Sequence, residues 1–79
     1  MPNTILVVED DAMNRNVFKC MLERAKYHVL AAASAAEAIT MAISHPGAID
    51  LFIIDVTLPD KSGPELLTTL DMIRPNRPV

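Results

Sequence analysis

Two runs of consecutive apolar residues, Ile5-Leu6-Val7-Val8 and Leu51-Phe52-Ile53-Ile54, break the mixed pattern of the rest of the chain. Bulky, β-favouring residues in an unbroken row predict strands of a parallel sheet covered on both faces, because only such strands dispense with polar alternation. The first strand is read as Thr4–Val8, and the third follows from Asp50. Between them the period changes. Met13, Val17, Met21 and Ala25 recur every four residues, Phe18 and Leu22 widen the stripe, and Arg15, Lys19, Glu23 and Lys26 lie elsewhere. This predicts an amphipathic helix from an Asp11 cap to about Tyr27, with its apolar face on the sheet. His28 to Ala32 is read as a second strand from its position, since alanine is a poor strand former. Ser34-Ala35-Ala36-Glu37 has capping-box spacing and opens a helix from Ala35 to about Ser44, with Ala38, Ile39, Ala42 and Ile43 inward. His45-Pro46-Gly47 ends it. Ser62-Gly63-Pro64-Glu65 repeats the box with proline at the first helical position, so a third helix is predicted from Pro64 to about Ile73, burying Leu66, Leu67, Leu70 and Ile73. Arg74-Pro75 cannot continue it.

The order β-α-β-α-β-α predicts an α/β domain whose parallel sheet has right-handed crossovers. In such sheets ligands bind beyond the carboxyl ends of the strands. The first strand runs into Glu9-Asp10-Asp11 and the third into Asp55, so neighbouring strands would bring Asp55 close to Glu9 and Asp10. Two unit charges about 4 Å apart repel by roughly 4 kcal/mol at an effective dielectric near 20. The net stability of a chain this small is only about 4 to 12 kcal/mol. Such a rim makes sense around a hard divalent cation, and Mg²⁺ is typically held by one or two carboxylates with waters and phosphate oxygens. Asp55 is the first candidate for a reacting group. Asp11 is read as a cap or bystander, and Asp60, Glu65 and Asp71 as solvated. His28 and His45 are read as structural and remote from the rim, the methionines as core filler and Cys20 as a small buried hydrophobe.

Composition narrows the class. Seventy-nine residues with 51% hydrophobic content describe one small packed domain. Net charge is −3, and the basic residues are scattered, which argues against nucleic-acid binding. With Cys20 as the single cysteine, an internal disulfide and a CxxC metal site are excluded, and a reducing, cytoplasmic setting fits. No leader-like segment precedes the first strand, and the alanine-rich stretch from Val29 to Ile43 is too short and too interrupted to span a bilayer. The third strand would form an open sheet edge, which predicts self-association through that edge or the sheet face.

With Glu9-Asp10 after the first strand, Asp55 after the third, Leu58-Pro59 just beyond it and Gly63 ahead of a helix, the sequence resembles the receiver domain of bacterial two-component response regulators. The resemblance covers the whole chain but only the first three βα units of that five-unit, flavodoxin-like fold. It implies strand order 2-1-3 with helices on both faces, and a single domain over residues 1–79 that is incomplete at its C-terminus. It implies that Asp55 accepts a phosphoryl group from a histidine kinase or phosphotransfer protein, as a signalling phosphoacceptor and not an enzyme. It also implies Mg²⁺ bound by Asp10 and Asp55, by Glu9 through water, and by the backbone carbonyl of Thr57. The family's phosphoryl-binding Ser or Thr, its Lys and its switch aromatic belong to strands four and five, beyond Val79. Lys61, Thr68 and Thr69 lie in the wrong places to replace them. Two other readings stay open. One is a receiver-like interaction or dimerisation module without stable phosphorylation. The other is an Asp-nucleophile phosphohydrolase of the haloacid dehalogenase type, disfavoured because Asp55-Val56-Thr57 lacks the second acid of that family's Asp-x-Asp.

Overall fold

In the computed structural model, which describes residues 3–55, 58 and 60–73, the chain forms β1 (Thr4–Val8), α1 (Ala12–Arg24), β2 (His28–Ala32), α2 (Ala35–Ser44), β3 (Leu51–Ile54) and α3 (Gly63–Ile73). The strands are parallel in the order β2-β1-β3. β1 is central, and every one of its residues is buried. Strand geometry then sorts the core into two layers, since successive side chains point to opposite faces. Leu6 and Val8 face a cluster with Ala35, Ala38, Ala42, Leu58, Leu66 and Leu70, which is the side of α2 and α3. Ile5 and Val7 face the other way, with Val29, Leu22 and Ile53. Helices therefore lie on both faces. β2 forms despite its alanines because Ala32, fully buried, packs in the same cluster as the three small residues of α2. At the lower end of the sheet, Asp50 ties β1 to β3: its Oδ2 accepts from Thr4 N at 2.7 Å and its own N donates to Thr4 O at 2.8 Å.

α1 departs from the expected packing. None of its residues is buried, and Met13 is 77% and Met21 61% exposed, with Val17 and Phe18 also outside. Leu22 alone of the expected stripe packs against the Ile5, Val7 and Val29 cluster. The helix lies over β1 and β2, and among the described residues nothing flanks it on that face over β3. A periodic apolar stripe needs a surface of matching width, and here the surface is narrower than the stripe. Cys20 is exposed too, not buried, with its thiol directed to Asn16 Oδ1. Ile43 and Leu67, expected inward, are exposed as well. Each follows a buried residue, Ala42 or Leu66, and a one-residue step turns the side chain through about 100° around the helix.

α1 ends at Arg24 and does not reach Tyr27. Lys26 adopts φ 75°, its N donates to Glu23 O and Tyr27 N donates to Leu22 O. This is a Schellman motif with lysine in the left-handed position that glycine usually takes.

Candidate functional site

The sheet ladder itself delivers the acids to one place. Glu9 N donates to Ala32 O at 3.1 Å and Asp55 N donates to Val8 O at 2.9 Å. Both residues thus leave adjacent parallel strands at the same level. A carboxylate oxygen from each of Glu9, Asp10 and Asp55 lies within 4.8 Å of the other two. Glu9 and Asp55 are half-buried and Asp10 is exposed. Oε2 of Glu9 is buried and meets no hydrogen-bond partner among the described residues. Its carboxyl is held above the usual value, first by the Asp55 side chain beside it, then through burial and the negative charge of Asp55, against an opposing hydrogen bond from Asn14. A buried, unpartnered oxygen beside two further carboxylates is an unfavourable arrangement for anions alone. A cation would relieve it, and three convergent oxygens are the donor set that hard divalent ions take. A cleft lined by Val7, Phe18, Ile53 and Ile54 opens from Glu9 and Asp55 along the sheet face.

The β1–α1 turn is fixed from within α1. Asp11 caps the helix as expected, its Oδ1 accepting from Met13 N at 2.9 Å and Asn14 N at 3.1 Å. Arg15, which the helical pattern sets only off the apolar stripe, donates from Nη1 to Glu9 O at 3.0 Å and lies 3.5 Å from Asp10 O. It holds the main chain of both acids. Asp60 is exposed as expected but not merely solvated: it accepts hydrogen bonds from Ala35 N and Ala36 N, which hold its carboxyl below the usual range. His28 and His45 stack on one another with ring centroids 6.0 Å apart. They sit where β2 begins and α2 ends, at the opposite end of the sheet from the acids. Thr57 lies outside the described residues.

Residues 5–79 match the model of the response regulator receiver domain family. The polar-differentiation response regulator DivK of Brucella anthropi is 32% identical over 66 residues, which is 84% of this chain and 52% of that protein. The chain thus spans about half the length of these relatives. Among solved structures, the receiver domain of the hybrid histidine kinase CckA superposes with a TM-score of 0.89 at 39% identity, covering 98% of this chain and 71% of that one. A response regulator from Burkholderia pseudomallei, solved with a phosphorylated aspartic acid, a calcium ion and citrate, gives a TM-score of 0.85 at 25% identity over 95% of this chain and 43% of that one. The parallel 2-1-3 sheet with helices on both faces corresponds to the first three βα units of the flavodoxin-like fold. No helix among the described residues is long and apolar enough to cross a membrane. By sequence and by fold, the chain belongs to the response regulator receiver domain family, the signalling domain of two-component systems.

Proposed function

We propose that Asp55 is the phosphoacceptor of a Mg²⁺-dependent receiver, charged by a histidine kinase or a histidine phosphotransfer protein in the cytoplasm. The observation that supports this is the convergence of Glu9, Asp10 and Asp55 with the Glu9 Oε2 atom left unpartnered. The phosphorylated aspartic acid and calcium ion of the Burkholderia relative support it further. A carboxylate oxygen of Asp55 attacks phosphorus in line with the phosphohistidine P–N bond. The new P–O bond forms an aspartyl phosphate, and the P–N electron pair returns to the imidazole nitrogen, which takes up a proton. Asp10 and Asp55 would hold the cation directly, Glu9 through water, and Thr57 through its main-chain oxygen. When bound, the cation offsets negative charge on the carboxylates and the phosphoryl oxygens, and positioning is left to the chain.

A second reading, a receiver-like module that associates without stable phosphorylation, draws on a separate observation. Val17, Phe18 and Met21 are exposed on the α1 side and Leu51 on β3, and β3 pairs only with β1 among the described residues. Open edges and apolar patches of this kind favour partners, a second copy included.

Incubation with Mg²⁺ and acetyl phosphate, followed by intact mass, separates the readings. A gain of one phosphoryl group in the wild type that is lost in Asp55→Ala is expected. A gain that persists in Asp55→Ala removes Asp55 as acceptor. A wild type that gains nothing yet dimerises in light scattering favours the second reading.

A further inference from the structure

Asp60 stands beyond Asp55 on the β3–α3 connection, and its carboxylate is engaged with a different element. Oδ1 accepts from Ala35 N and Oδ2 from Ala36 N, each at 3.0 Å. Ser34 Oγ accepts from Glu37 N at 3.2 Å. The amides of the first three residues of α2 are therefore all bonded to side chains, one to the Ser34 cap and two to a residue remote in sequence. One carboxylate oxygen on each of two successive amides fixes the orientation of the group as well as its place, and a negative charge is favoured at a helix N-terminus. Leu58, between Asp55 and Asp60 in sequence, is buried in the same cluster as Ala35 and Leu66. The connection is thus held at Asp55 by the sheet, at Leu58 by the core and at Asp60 by α2.

We infer that Asp60 is a positioning residue: its bridge to Ala35 and Ala36 fixes the β3–α3 connection against α2 and so sets how Asp55 meets a divalent cation and an incoming phosphoryl group. The inference rests on the phosphoacceptor reading above. It gives α2 a mechanical link to the site, because a displacement of the connection acts on the first turn of that helix.

The test uses the full chain as wild type, Asp60→Ala, Asp60→Asn, Asp60→Glu and Ser34→Ala. Mg²⁺ affinity is read from the amide resonances of Glu9 and Asp10, and phosphoryl uptake from acetyl phosphate by intact mass, with circular dichroism reporting the fold. Asp60→Ala and Asp60→Asn are expected to weaken Mg²⁺ binding on the order of tenfold, as loss of a supporting contact does at metal sites, and to slow uptake. Asp60→Glu recovers part of both. Ser34→Ala removes a cap from the same helix without touching the connection, and is expected to leave both at wild-type levels. Asp60→Asn keeps an acceptor for one amide and carries the comparison if the alanine variant unfolds. Wild-type affinity in Asp60→Asn, or an equal loss in Ser34→Ala, overturns the role of Asp60 while Asp55 stands. A wild type that neither binds Mg²⁺ nor takes up phosphoryl overturns the phosphoacceptor reading, and this inference with it.

Discussion

Replacing Asp55 with asparagine keeps the shape of the side chain and removes one of three negative charges whose oxygens lie within 4.8 Å of one another. At that separation each pair repels by about 1 kcal/mol in water and by roughly 3.5 kcal/mol at an effective dielectric near 20. The cluster opens to solvent through Asp10, so the lower figure governs. The two pairs that involve Asp55 then give about 2 kcal/mol. Without divalent ions, near neutral pH and at low salt, Asp55→Asn should be the more stable protein, with a melting midpoint higher by on the order of 10 °C. The pH dependence has a definite sign. The carboxyl of Glu9 sits above its ordinary value of 4.5 in the folded protein, mainly because of the Asp55 side chain. Its favourable contribution is therefore complete below that value and is lost as pH rises through the raised one. The advantage of Asp55→Asn should be small below 4.5 and open up above it. Mg²⁺ should raise the wild-type midpoint more than that of the variant, by binding the folded state. Thermal melts followed by circular dichroism across pH, with and without Mg²⁺, supply every quantity. A variant less stable than wild type near neutrality without metal, or an advantage that does not change with pH, would refute the assignment of repulsion to this cluster.

Leu66→Ala empties a fully buried position between α3 and the sheet and should cost about 2 to 5 kcal/mol, seen as a midpoint shift in urea melts. Lys26→Gly relieves the left-handed residue that ends α1 and should stabilise by roughly 1 kcal/mol; a loss in the same melts would contradict the Schellman assignment. Met13→Ser, at a position 77% exposed, should change stability by less than about 0.5 kcal/mol, although a buried methionine there would predict a large loss.

What the sequence displayed and what it hid divide along a physical line. The limits of α2, Ala35–Ser44, were legible because cap and breaker residues mark them, and β2, His28–Ala32, was legible from its position between two helices. The end of α1 was not, because the left-handed position is held by Lys26 and not by a glycine. The stripe from Met13 to Ala25 shows which side of a helix is apolar. It carries no information on whether anything covers that side, and here little does. The convergence of Glu9, Asp10 and Asp55 was legible for a geometrical reason: parallel neighbours bring their carboxyl ends to one rim whatever lies between them.

Arg15 and Asp60 were hidden because their partners are main-chain groups, the carbonyls of Glu9 and Asp10 and the amides of Ala35 and Ala36. Every non-proline residue offers such a donor and acceptor, so no complementary side chain in the sequence announces the pairing. That has a consequence for the site itself. Three like charges are kept close by contacts that do not neutralise their carboxylates: Arg15 grips the β1–α1 turn by its carbonyls, and Asp60 fixes the β3–α3 connection through α2. The oxygens of Glu9, Asp10 and Asp55 are left to face one another, and their mutual repulsion is what a divalent cation would release on binding.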